Sequence, residues 1–216
     1  MIQTQPYHGG LTVEQFLFYE IRIAAKFYLA GIPIESAVDD IRRDNLFQYP
    51  TERQISRLAR ACYKRLDALD NHNLIETLAY APVEIAKQVN LYAIMCQNRL
   101  VREFMTQIIG EKLRTQDLSL RKKDLNAFFA RLQAQDDRVA AWSEATIGKI
   151  KGVLLRMLVE TEYLDNIRGT TLHPVFLYEE LERGIRENMD FESLPHLTVS
   201  DRGRSFGNNH AITKPD

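Results

Sequence analysis

Apolar residues recur at positions i, i+3, i+4 and i+7 over most of this chain, and runs that alternate with period two are nearly absent. This spacing places apolar side chains on one face of a helix. Proline and glycine are scarce, with 7 and 10 residues in the whole chain. The pattern therefore predicts an all-α protein that folds as a compact multi-helix globular domain.

Capping residues and helix breakers divide the pattern into predicted helices. A capping box, a threonine followed three residues later by glutamine, occurs at Thr12 and at Thr51. Ser119 and Ser143 are further N-cap candidates, and Asp136 or Asp137 can cap a short helix through Trp142. The predicted helices run from Thr12 to a stop at Gly31 and over residues 34–44, 51–69, 74–80, 82–110, 121–135, 143–162 and 174–189.

A short helix followed by a longer one occurs twice, which is the layout of a helix-turn-helix unit. We expect an N-terminal part (residues 1–80) and a C-terminal part (residues 81–195), each with one such unit and sharing one core, followed by a polar tail (residues 196–216). In residues 163–173, β-branched residues flank Arg168-Gly169. This segment predicts either a short hairpin able to act as a wing or an ordered loop.

Composition indicates the cellular location of the protein more clearly than its function. The longest charge-free stretch in the body, Gln88–Asn98, is far shorter than the ~20 apolar residues of a membrane span. The N-terminus lacks a secretory pattern, and the spacing of Cys62 and Cys96 fits neither a disulfide scaffold nor a zinc site. We therefore expect a cytoplasmic protein without a membrane partner. The formal net charge of -1 argues, taken alone, against a nucleic-acid binder.

The distribution of charge changes that picture. Seven basic and two acidic residues lie between Arg42 and Leu66, a local net charge of +5. On a helical wheel, the predicted helix 51–69 has an apolar face and an opposite basic face without acidic i+4 partners. These residues are candidate contacts to DNA phosphates, because guanidinium and ammonium groups suit phosphate oxygens; they are Arg53, Arg57, Arg60 and Lys64, with Arg42 and Arg43 preceding them. The alternative is a solvated basic face that binds nothing, and the break over residues 45–50 is longer than a usual turn.

A second, weaker constellation follows the short helix near Trp142. Lys149 and Arg156 lie on the polar side of the predicted helix 143–162, together with Gly148 and Gly152. Exposed helical glycines cost stability, and close approach of a phosphate backbone is one reason to tolerate them. Lys122 and Lys123, at the start of another helix, are added as candidate DNA contacts. The alternative is an amphipathic helix with a loop packed on the core.

Catalytic patterns are missing from the sequence. It contains no Gly-rich phosphate loop, no His-Glu-x-x-His and no Gly-x-Ser-x-Gly. The paired carboxylates Asp39-Asp40 and Asp136-Asp137 sit at plausible cap or surface positions, and neighbouring helical residues diverge by about 100°. We therefore expect no catalytic residues, no metal site, no cofactor and no small-molecule substrate.

Several stretches together resemble a known family. They are Leu46-Phe47 before Pro50-Thr51, Arg65-Leu66, Lys87-Gln88, Leu91-Tyr92-Ala93-Ile94, Arg99-Leu100-Val101-Arg102-Glu103-Phe104 and Trp142-Ser143-Glu144-Ala145-Thr146 with Lys149. From about residue 11 to 190 the chain resembles the BrxA family, a small core component of bacterial BREX phage-exclusion systems. The resemblance implies an all-helical protein with helix-turn-helix elements and DNA binding, in a system whose other components supply methylation and ATPase activity. It brings no catalytic residues to carry over.

Three functional hypotheses follow. The first is a non-enzymatic component of a phage-defence system that binds duplex DNA through phosphates with little sequence selectivity, because no Asn or Gln is interleaved on the basic stripe. The second is a protein–protein adaptor without DNA binding of its own, which docks partners such as other BREX components through the acidic last helix, Glu179–Glu187. The third is an RNA-binding helical protein.

Overall fold

The computed structural model describes residues 5–193, and these residues form an all-α fold without a β-strand. A 3-10 turn at Gly9–Thr12 precedes the first helix, and a π-helical segment, Met105–Gly110, joins the sixth to the seventh. The α-helices are α1 (Phe18–Leu29), α2 (Ile34–Arg43), α3 (Glu52–Leu69), α4 (His72–Tyr80), α5 (Val83–Gln97), α6 (Arg99–Phe104), α7 (Glu111–Arg114), α8 (Lys122–Gln135), α9 (Asp137–Ala140), α10 (Glu144–Glu160) and α11 (Glu179–Glu187).

The core forms around α5, which packs against α3 and α4. Every residue from Gln88 to Met95 is buried, so α5 is covered on all sides. α3 turns Ile55, Leu58, Cys62 and Leu66 inward, as its apolar face predicts. Burial raises the pKa of the Cys62 thiol to about 12, so this cysteine is a neutral core residue. The division of the chain at residue 80 stays a prediction; contacts between α3 and α5 and between α4 and α11 cross it.

The predicted N-caps of α9 and α10 are confirmed, whereas the two predicted capping boxes are not. The side chain of Ser143 accepts a hydrogen bond from the Thr146 amide and caps α10, and Asp136 caps α9, both as predicted. The predicted capping boxes are wrong, because Thr51 makes no side-chain capping bond and the Thr12 hydroxyl donates to the Gly9 carbonyl. The predicted start of the first helix at Thr12 is also wrong: α1 begins at Phe18, after a left-handed Leu17.

The predicted helix 82–110 is interrupted at Asn98. The Asn98 side chain accepts hydrogen bonds from the amides of Leu100 and Val101, which ends α5 and starts α6. Both helices bury apolar residues, so the hydrophobic period continues across the break. The helix predicted over residues 121–135 begins at Lys122, as expected within one residue, but its N-cap residue is Arg121 and not Ser119. The Arg121 backbone amide donates to the Asp124 side chain.

Residues 163–173 form an ordered loop, the second of the two alternatives. Leu120 and Leu172 donate backbone hydrogen bonds to Thr170 and Leu118, and a single antiparallel bridge pairs Ser119 with Thr171. The last helix begins at Glu179, not at Pro174 as predicted, and residues 174–178 are non-helical. The Gln88 side chain holds them, donating to the Phe176 carbonyl and accepting from the Tyr178 amide. The predicted polar tail lies outside the described residues.

Candidate nucleic-acid interface

The predicted basic stripe lies on the exposed side of α3. Arg53, Arg57, Arg60 and Lys64 are all exposed, opposite the face that packs on α1 and α5. The helical repeat spaces successive members by three or four residues, so the stripe extends about 16 Å along the helix axis. This length lets the side chains reach several phosphates along one strand of a nucleic acid.

One member of the stripe is tied to the preceding helix. Arg60 donates two hydrogen bonds to the Glu35 carboxylate on α2, at 2.6 Å from Nη2 and 3.3 Å from Nε. This bond lowers the pKa of Glu35 and raises the pKa of Arg60, so both groups are charged at neutral pH. The stripe lacks acidic partners on its own helix, as predicted, but it has one across the α2–α3 contact. The lack of acidic i+4 partners therefore does not leave Arg60 unpaired, because its partner comes from another helix.

Arg42 and Arg43, at the end of α2, are also in ion pairs. Arg42 lies 3.0 Å from Asp39 and 3.9 Å from Glu52, and Arg43 lies 2.9 Å from Asp40. The hydrogen bond to Asp44 raises the pKa of the Arg43 guanidinium further. All these side chains are largely solvent-exposed, so each pair is weak and exchangeable. The local charge of +5 in the sequence is thus offset by carboxylates that lie nearby in space.

Three cations of the stripe have no such partner. Within residues 5–193, Arg53, Arg57 and Lys64 make no ion pair and no side-chain hydrogen bond. They are spaced by four and seven residues, which places them on one flank of α3. These three side chains are available to an external anion without the loss of an internal contact.

The seventh basic residue of the segment, Arg65, does not belong to the surface. It is 1% exposed and donates hydrogen bonds to the carbonyls of Phe16 (2.8 Å) and Gln15 (3.0 Å) and to the Asn90 side chain (3.1 Å). Burial lowers the pKa of its guanidinium. The helical wheel could have shown this, since Arg65 follows the core residue Leu58 by two turns. Arg65 fixes the loop that precedes α1.

The second constellation meets α3 across a groove. Val153 and Arg156 of α10 line this groove opposite Gln54 and Leu58 of α3. Lys149 is exposed and lies two turns before Arg156, on the same flank of α10. Arg156 makes no ion pair with any described residue, and a Cβ added at Gly148 would meet open space. The structure therefore brings the end of α10 next to the first turn of α3.

Lys122 and Lys123 lie elsewhere. They are exposed at the start of α8, and α8 contacts α10 through Lys151, which donates to Asn126 at 2.8 Å. Lys151 and Arg156 are about 140° apart around α10. The α8 lysines are thus on the flank of α10 that faces away from the groove, and the structure does not bring them together with the α3 stripe.

Sequence patterns did not reveal the walls of this groove. It encloses about 450 Å³ between α10, the first turn of α3 and the loop before α1. The aromatic side chains of Phe16, Tyr19 and Tyr49 contribute to its lining, and Tyr19 is 57% exposed. Tyr49 donates to the buried Glu20 at 2.6 Å, and burial followed by this bond raises the pKa of Tyr49 to about 12. A helical wheel of α1 alone places Tyr19 on the surface and cannot show that it lines a groove with residues of α3 and α10.

Two features bear on other functions. No group of three or more His, Cys, Asp or Glu side chains within residues 5–193 is arranged to hold a metal ion. Each helix in the same range is too short or too polar to cross a bilayer.

Comparison with known proteins gives consistent matches. The model of the family described as BrxA matches residues 5–189. A protein named "BREX protein BrxA" from Bacillus cereus is 31% identical over 169 residues, which cover 78% of this chain and 84% of that protein. A protein of the same name from Escherichia coli is 23% identical over 174 residues, 81% of each chain.

A solved structure supports the fold. The crystal structure of an uncharacterized protein from Magnetospirillum magneticum superposes with a TM-score of 0.79 and covers 91% of this chain and all of that one. The two sequences are 21% identical, so this likeness concerns the fold alone.

Proposed function

We propose that this chain, which belongs to the BrxA family of BREX phage-defence proteins, binds duplex DNA through phosphate contacts and catalyses no reaction. One observation carries the proposal: three cations on one exposed flank of α3, Arg53, Arg57 and Lys64, have no partner among residues 5–193. Solvated basic stripes are common on helices. This one is supported as a binding surface by its place after α2 and beside Arg156.

The chemistry of these side chains suits a phosphate backbone. Each contact to a phosphate releases condensed counterions, which favours binding at low salt. Arg42 and Arg43 add to the surface because their exposed ion pairs can exchange a carboxylate for a phosphate at little cost. Arg60 joins them once its two hydrogen bonds to Glu35 are released. Lys149 and Arg156 extend this surface across the groove, whereas Lys122 and Lys123 form a separate candidate contact on α8. Cations of this kind position a protein on DNA and carry little sequence information.

Fluorescence anisotropy with a labelled duplex tests this proposal. We expect the triple variant Arg53→Gln, Arg57→Gln, Lys64→Gln to lose at least about tenfold in affinity, because it lacks three charged contacts. The matched control changes Arg114, Arg183 and Arg186 to Gln, which removes the same charge from α7 and α11, outside the α3 stripe, and should bind like the wild type. Equal affinity of the two triple variants would refute the proposal, and displacement of the duplex by structured RNA at lower concentration would favour an RNA ligand.

A protein–protein adaptor is the second candidate. It is favoured by large apolar side chains exposed beside the acidic α11: Phe176 (67%), Met189 (78%) and Phe191 (56%). Contiguous exposed apolar patches mark docking surfaces, and these three side chains are candidates for such a patch. This function predicts stable co-purification with another BREX component through Phe176 and Met189, together with no duplex affinity in the isolated protein.

A further inference from the structure

We propose that the groove between α3, α10 and the loop before α1 binds an unpaired nucleobase of the DNA that lies along the α3 stripe. This inference rests on the proposed DNA binding and names a second kind of contact that this surface makes. Its ligand is a base that is bulged, mismatched or single-stranded, since such a base leaves the stack at the lowest cost.

The lining of the groove has the groups that a base requires. Bases bind proteins by stacking on aromatic rings and by hydrogen bonds to side-chain amides. Tyr19 and Tyr49 supply the rings, and Gln15 and Gln54 supply amides. Within the described residues neither amide side chain makes a hydrogen bond, so both are free to pair with a base edge.

The walls are held in place before any ligand arrives. Arg65 fixes the loop by its bonds to the carbonyls of Gln15 and Phe16, at 3.0 and 2.8 Å. The hydroxyl of Tyr49 donates a hydrogen bond to Glu20 at 2.6 Å, which fixes the position of the Tyr49 ring. Because these side chains are already ordered, binding loses less conformational entropy than it would at a mobile site.

The charges around the groove favour a nucleotide over an apolar peptide. Arg156 lines one wall without an ion partner among the described residues. Both carboxylates of the lining are occupied: Glu160 pairs with Lys87 at 2.9 Å, and the buried Glu20 accepts the Tyr49 hydroxyl at 2.6 Å. Arg57 lies one helical turn from Gln54, so a strand whose phosphate contacts the stripe passes the mouth of the groove. A phosphate on Arg57 or Arg156 and a base against Tyr19 are thus compatible with one nucleotide strand.

Anisotropy with two labelled duplexes of about 20 base pairs, or two helical turns, tests the inference. One duplex is fully paired and the other carries a single unpaired thymine. We expect the wild-type protein to bind the bulged duplex at least about fivefold more tightly, the effect of one stacked base. Tyr19→Ala should abolish this preference and leave the affinity for the paired duplex unchanged, while Tyr19→Trp should retain it.

Tyr80→Ala is the matched control, because Tyr80 is exposed to a similar extent (62%) at the end of α4, away from the groove. It should behave like the wild type. Equal affinity of the wild type for both duplexes, or a preference that survives in Tyr19→Ala, would overturn the base site while duplex binding itself stands. Failure of the wild type to bind either duplex would overturn the proposed function and the base site together.

Discussion

Releasing Arg60 from Glu35 should strengthen DNA binding. The Arg60 guanidinium is held by both oxygens of the Glu35 carboxylate, on the exposed side of the α2–α3 contact. Glu35→Gln keeps the size of this side chain but removes its charge. Arg60 then no longer has a competing anion, and the stripe gains a fourth cation able to contact a phosphate.

The structure sets the size of this effect. Both partners are well exposed, with 44% and 67% of the side chains accessible, so the internal pair is weak and its loss does not disturb the fold. We expect duplex affinity to rise by about two- to fivefold at low salt. One additional phosphate contact should also steepen the dependence of log K on log salt by about 0.9. Anisotropy titrations of a labelled duplex at several salt concentrations measure both quantities.

Glu182→Gln is the control for net charge. Glu182 pairs with Arg186 on α11 at 2.6 Å, and 41% of its side chain is accessible, but neither partner belongs to the stripe. It makes the same change in total charge and should leave the salt slope unaltered. If Glu35→Gln and Glu182→Gln gave the same affinity and the same slope, Arg60 would not contact DNA, and the reasoning from this ion pair would be refuted.

Three further predictions concern the scaffold. A Cβ at Gly184 would lie 2.4 Å from the Leu74 side chain, so Gly184→Ala should cost about 1–3 kcal/mol in urea unfolding, whereas the open Gly148→Ala should not destabilise. Arg65→Ala removes the donor of the Gln15 carbonyl and of the Asn90 side-chain oxygen, while the Phe16 carbonyl keeps the Asn90 amide, and it empties a fully buried site. It should cost about 3 kcal/mol in the same assay, and an unchanged midpoint would contradict this role. Burial raises the pKa of the Asp190 carboxyl, but the hydrogen bonds that it accepts from Arg102 on α6 outweigh burial, so the pKa is lowered. Stability should therefore be full above the unfolded-state pKa of an aspartate and fall as pH drops towards the folded value, and Asp190→Asn should flatten this part of a melting-temperature profile.

The fold follows from the sequence where the signals are local. The apolar period of α3, the proline before α2 and the Ser143 cap predict the second, third and tenth helices within one or two residues. The errors have tertiary causes. The loop before α1 stays non-helical because Arg65 binds its carbonyls, and residues 174–178 stay non-helical because the Gln88 side chain bonds to them. No pattern within either segment carries those contacts.

In the candidate site, too, the sequence predicts the features of a single helix but not the contacts between helices. The wheel of α3 placed four cations on an exposed face, which the structure confirms as exposed. It could not show that Glu35, on another helix, pairs with Arg60, nor that Tyr19 and Gln54 line one groove with Arg156. These residues come from four helices, α1, α2, α3 and α10, and their side chains meet only when the helices pack around the core. The near-neutral charge of the whole chain therefore says little about the charge that a ligand meets at α3.

The salt dependence of duplex binding tests the central claim most directly. If Arg53, Arg57 and Lys64 each neutralise one phosphate, the triple Gln variant should reduce the slope of log K against log salt by about 2.7, while the triple variant of Arg114, Arg183 and Arg186 keeps the wild-type slope. Equal slopes for the wild type and the Arg53, Arg57 and Lys64 triple variant would contradict the assignment of this surface to DNA.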